Sequence, residues 1–357
     1  MTLTKPRAVP PPALALAAAI LFGATTPLAK LLLKGVGPVL LAGLFYLGSG
    51  MGLFLVRCVG GQRRILLAHE APLRRQDLPA LAGAILCGGL VAPVLLLLGL
   101  RETSAGTASL LLNLETALTV LFAWFLFGEP FDRRILLGVC CTVAGAVVLS
   151  WTGRGTGIPS WRGVSIVGAC AAWALDNNLT RRISGGDPVQ VAMIKGLVAG
   201  SVNLVLALSM GSKLPAAASV IGSFLVGLFG YGLSLVLFIL ALRGIGAART
   251  SVYFSTAPFI GALIALAALR EPLNPSLAIA GGLMALGIWL HVSERHEHEH
   301  RHAATEHDHR HVHDEHHAHA HAPETAPGEP HAHPHRHAPL LHAHPHFPDL
   351  HHRHDHR

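Results

Sequence analysis

The sequence predicts an all-α integral membrane protein: ten transmembrane helices arranged as two inverted five-helix repeats, followed by a disordered His-rich C-terminal tail. Three observations lead there. The first 290 residues are a series of apolar runs, the chain repeats itself at half length, and nearly all its histidines lie after the last run.

Of the 357 residues, 51% are hydrophobic and only 13% charged. Soluble domains carry about 25% charged residues. Runs of about 20 apolar residues match a bilayer core of about 30 Å crossed by an α-helix. β-Barrel strands would alternate in polarity over about ten residues, and these runs are apolar all round. The predicted spans are 12–33, 38–56, 79–100, 106–128, 135–151, 164–181, 188–209, 218–241, 248–269 and 276–292. The first run follows Lys5 and Arg7 as a signal peptide would, but it is too long for a signal core and is read as a span. The chain divides into an N-terminal segment 1–11, repeats 12–151 and 164–292, and a tail 293–357.

The repetition is specific. FGATTPLAK (Phe22 to Lys30) matches WALDNNLTR (Trp173 to Arg181) in its aromatic start and basic end. LRETSAGTAS (Leu100 to Ser109) aligns with LRGIGAARTS (Leu242 to Ser251). In the same register Glu129 of GEP falls on Glu271 of REP, and Gly145 on Gly287. Several landmarks in one register indicate an internal duplication. Five spans per half force the second half to enter the membrane upside down. Inverted repeats are characteristic of secondary transporters, with a site between the halves.

Basic residues set the orientation, being enriched in cytoplasmic loops. With the N-terminus inside, the cytoplasmic side receives Lys5, Arg7, the arginines of 57–78, and Arg133, Arg134, Arg181, Arg182, Arg243 and Arg249. The outer side receives fewer: Lys30, Lys34, Arg101, Arg154, Arg162, Lys213 and Arg270. Both termini are then cytoplasmic, in the inner (plasma) membrane.

At these motifs the chain resembles the EamA-type transporters of the drug/metabolite transporter (DMT) superfamily. The resemblance covers residues 12–292. It rests chiefly on TSAGTASLL, the glutamate of GEP and the Trp-initiated start of the sixth span. It implies ten helices, inverted repeats, a central cavity and small organic metabolites as substrates, often exported. The chain departs from the family in LNLETAL, where Glu115 replaces an uncharged, proline-containing segment, and in the polar group Asp176, Asn177, Asn178.

Charge at a helix centre costs about 2.5–3.5 kcal/mol on insertion scales. It persists where it is paired, wet or needed. Glu115, Asp176, Asn177, Asn178 and Lys195 are therefore the candidate substrate and ion pathway. Glu115 and Asp176 are read as cavity carboxylates for a cation or a proton, with a structural ion pair to Lys195 as the alternative. Glu129 and Glu271 precede prolines at span ends and are read as helix terminators. GxxxG spacings at Gly48/Gly52 and Gly196/Gly200 are read as packing faces. A homodimer is not indicated.

Residues 291–357 hold 24 of the 25 histidines. Without apolar periodicity the tail is expected to be disordered. Imidazoles spaced one or two residues apart suit divalent Zn, Ni, Co or Cu. The candidate ligands are His296, His298, His300, His307, His309, His311, His313, His316, His317, His319 and His321. No cofactor is required. No Ser/His/Asp set, HExxH or phosphate loop argues for an enzyme, and nothing argues for nucleic acid. The partners expected are a small-molecule substrate and the bilayer. The leading expectation is a secondary metabolite transporter, exporting and coupled to protons or exchange, with a metal-binding cytoplasmic tail. Alternatives are divalent-metal efflux and a membrane-bound metal sensor or store.

Overall fold

Prolines open many of the helices, where the missing N–H would have no intrahelical partner anyway and the fixed φ is already helical. Pro11, Pro38, Pro188 and Pro275 each stand first in their segment. The computed structural model describes residues 9–59, 73–127, 133–150, 161–183 and 186–292, and four short strands beyond. In chain order the helices are α1 Pro11–Leu32, α2 Pro38–Val59, α3 Arg75–Glu102, α4 Ala105–Leu126 and α5 Arg133–Ser150. There follow α6 Trp161–Ile183, α7 Pro188–Ser209, α8 Ala217–Ala241, α9 Ala257–Ala268 and α10 Pro275–Val292.

Seven of these, α1 to α5, α7 and α8, are long and apolar enough to cross a membrane. The sequence reading expects ten spans. The other three fall short for visible reasons. In α6, Asp176, Asn177, Asn178, Arg181 and Arg182 dilute the apolar run. The apolar stretches of α9 and α10 are shorter, Ala257–Ala268 and Pro275–Leu290.

Helical backbone continues from α8 to Phe254, yet the chain reverses there. The rings of Phe238 and Phe254 lie 4.8 Å apart. On a straight helix sixteen residues would separate them by about 24 Å. After the reversal α9 packs along α4 and α1.

Small residues set the closest helix crossings. A Cβ on Gly196 would lie 2.5 Å from the backbone nitrogen of Gly50, and one on Gly200 equally close to that of Leu47. Thus α2 and α7 touch backbone to backbone. The pair α5 and α10 is built similarly, with Gly145 against Met284 and Gly287 against Thr142. α1 packs along α8 and α9, while α6 packs along α3 and α4.

Both α3 and α8 contain a π-helical stretch, Ile85–Val91 and Gly227–Leu233. The two lie 142 positions apart, the same offset that aligns Glu129 with Glu271.

In the tail, Glu297–His302 pairs antiparallel with Leu340–Pro345, and Glu306–His311 with His331–Arg336. Their His-x-His alternation has the period of a strand, and the register sets His300 opposite His342 and His309 opposite His333.

Candidate functional site

The polar residues of α6 part company according to the face on which the helix sets them. Val164 and Val167 are exposed and mark its outer face. Asn177, thirteen residues after Val164, lies about 140° around the helix from it. It is nevertheless exposed, while its neighbours Asp176 and Asn178 are buried. Accessible space inside the bundle therefore reaches Asn177. Its amide donates a 2.7 Å hydrogen bond to Oε1 of Glu115 on α4. Glu115 is half-buried and makes no ion pair among the described residues.

Asp176 points elsewhere. It is 4% exposed, and its carboxylate accepts bonds of 2.6 and 2.5 Å from Nζ of Lys195, itself 6% exposed. Thr180 donates to the same carboxylate at 3.0 Å. This pair ties α6 to α7. Room for it comes from α3: a Cβ on Gly88 would lie 1.9 Å from Asp176 Oδ2. Glu115 and Asp176, expected to share one cavity, thus have different surroundings. Lys195 neutralises Asp176, not Glu115. Asn178 serves backbone, donating to the carbonyls of Ala174 (2.9 Å) and Thr119 (3.1 Å).

The π-helical stretch of α3 supports this region. A π-turn lengthens the hydrogen-bond ring and leaves carbonyls to outside donors. The Gly88 carbonyl accepts from Tyr46 Oη and from Trp173 Nε1, the latter at 3.1 Å. The Gly89 carbonyl accepts from Asn203 Nδ2 at 3.0 Å. Side chains of α2, α6 and α7 so converge on one turn of α3. The sequence reading missed Tyr46, Trp173 and Asn203 as parts of this region. The available signal was polar or amphipathic groups inside apolar runs, which need partners when buried.

An aromatic cluster lies within the bundle. Phe22 of α1 meets Trp173 of α6 edge-on at 6.2 Å, Tyr231 of α8 at 6.1 Å and Phe254 at 5.4 Å. Both halves of the chain contribute to it.

Among the residues whose side chains are described, no three His, Cys, Asp or Glu gather as a metal site. His296, His313, His316, His317, His319 and His321 lie outside the described residues. Of His298, His300, His307, His309 and His311 the structure describes only the backbone.

The model of the EamA-like transporter family matches the chain twice, over residues 11–151 and 161–293. An uncharacterized transporter of Methanothermobacter thermautotrophicus is 30% identical over 76% of this chain and 83% of its own length. The uncharacterized inner membrane transporter YedA of Escherichia coli is 24% identical over 76% of this chain and 87% of its own. The Bacillus subtilis transporter YvbV, also uncharacterized, is 27% identical over 74% and 85%. A solved structure of a protein 22% identical covers 78% of this chain and 95% of that one, at a TM-score of 0.59, and shares the fold.

Proposed function

Since the chain belongs to the EamA-like transporter family, we propose that it is a secondary transporter moving a small metabolite across the inner membrane by alternating access between two inverted five-helix repeats. It has ten spans, both termini in the cytoplasm, and exports its substrate. Two features support the duplication. The family match occurs twice, and the two π-helical stretches recur at the 142-residue offset of the sequence repeat. The pairing pattern supports the inversion: α2 with α7 and α5 with α10 are equivalent spans, while α1 packs on α8 and α9 as α6 packs on α3 and α4.

The observation that carries the site is the Glu115–Asn177 pair on the interior face of α6. An intramembrane carboxylate without a basic partner is tolerated where it meets water or a bound cation. Glu115 takes up the coupling proton or the cationic group of the exchanged solute. Asn177 orients the carboxylate and offers its own carbonyl oxygen as an acceptor. Asp176 and Lys195 form a neutral buried strut that maintains the α6–α7 geometry. The His-rich tail binds divalent metal as an accessory and is not the cargo site.

A growth screen of deletion and overexpression strains against amino-acid analogues and divalent metals tests this. A phenotype with organic compounds that vanishes in Glu115→Gln at unchanged protein abundance is expected. A phenotype confined to metals, lost on truncating the tail, overturns the metabolite assignment in favour of metal efflux.

A further inference from the structure

The turn between α3 and α4 is gripped by two charged side chains from distant parts of the chain. Lys30, in the last turn of α1, donates to the carbonyls of Leu100 (2.7 Å), Arg101 (3.1 Å) and Thr103 (2.8 Å). Glu271, just past α9, accepts from the backbone N–H groups of Ala105 (2.7 Å) and Gly106 (2.8 Å), one on each carboxylate oxygen. Each charge suits its end. A helix C-terminus leaves carbonyls without partners and favours a cation; an N-terminus leaves N–H groups and favours an anion. Hydrogen bonds to a charged group are the stronger kind. Gly106 keeps the approach open, since a Cβ there would already lie 3.2 Å from Glu271 Oε2.

Burial changes along α4 below this clamp. From Ala105 to Leu114 every residue is buried except half-buried Thr107. From Glu115 to Leu121 all but Ala117 are half-buried. The clamp thus stands over a tightly packed end of the bundle, and the Glu115–Asn177 pair lies beneath that packing.

We propose that Glu271 and Lys30 are gating residues. Their grip on the α3–α4 turn holds one end of the transport path shut and is released when that end opens. The proposal rests on the reading of the chain as an alternating-access transporter.

The test uses full-length protein with its five cysteines replaced and one reporter, Thr119→Cys, on half-buried α4. A membrane-impermeant thiol reagent is applied to intact cells and to inside-out vesicles. Glu271→Gln should raise labelling from the Lys30 side by roughly fivefold or more. Glu271→Asp should restore the parental pattern in part. A helix cap with only a structural role would lower thermal stability without moving the sidedness. Unchanged sidedness in well-folded Glu271→Gln, or an equal rise in labelling from both sides, overturns the proposal. A reporter sealed from both sides in every variant instead sinks the transport reading, and the gate with it. Should Glu271→Gln fail to accumulate, Gly106→Cys with Glu271→Cys replaces it. A short bifunctional thiol cross-link between them should stop transport in the growth assay, reversibly on reduction; full activity when cross-linked overturns the gate.

Discussion

Lys195 holds Asp176 in a buried ion pair that joins α6 to α7, the two oxygens 2.6 and 2.5 Å from the ammonium nitrogen. The pair is secluded from the Glu115–Asn177 site only one residue further along α6. That separation divides the polar residues of the bundle into a paired set and the set proposed as the transport site, and each makes its own prediction.

Removing one partner of a buried pair leaves an uncompensated charge, at a cost of about 3–5 kcal/mol, whereas removing both can be close to neutral. Lys195→Met should therefore melt well below the parent in detergent. Lys195→Met combined with Asp176→Asn should recover most of the loss. Equal melting temperatures for the single and double variants would contradict the pairing.

Gly88 is the position with least room. Gly88→Ala puts a methyl group where Asp176 Oδ2 lies, and overpacking of this kind costs about 1–3 kcal/mol. Gly282→Ala, where a Cβ meets nothing within 4 Å, should hold or slightly raise thermal stability, since Ala suits a helix interior better than Gly by about 0.5–1 kcal/mol. The pair of variants, compared by thermal unfolding, separates crowding from loss of glycine as such.

Glu115→Gln keeps the size of the side chain and removes its charge. The variant should reach parental abundance and melting temperature, lose transport and lose the pH dependence of any residual transport. Asp176→Asn strands Lys195 and should instead show lowered stability. Parental transport and pH profile in Glu115→Gln would move the chemistry away from this site.

Arg270, two residues past α9, has φ 54°, the left-handed region that side chains resist. The sequence repeat places Gly128 at the equivalent position of the first half. Arg270→Gly should relieve about 1 kcal/mol of backbone strain and leave the Glu271 cap in place. A rise in melting temperature without a change in transport is expected; a marked fall would show that the guanidinium contributes more than the strain removes.

The membrane class and the doubled organisation could be read in the sequence because both depend on local composition and on comparison of the chain with itself. Apolar runs of bilayer length announce helices whatever their neighbours, and motifs at one constant offset mark a duplication. The same locality limits the reading. Asp176, Asn177 and Asn178 are adjacent, so no sequence pattern tells which faces Lys195 and which faces Glu115. The packing of α6 against α3 and α4, with Lys195 reaching it from α7, settles that, because one helical step of about 100° moves a side chain from a sealed interface to open space. The π-helical turns also escaped, since Ile85–Val91 reads as an ordinary apolar run. Glu271, read as a helix terminator, bonds backbone 166 residues away. Sequence alone established that this carboxylate stands at a helix end. Only the tertiary structure brought it to the open N–H groups of a different helix, because those donors become available where α4 begins and α9 ends beside it.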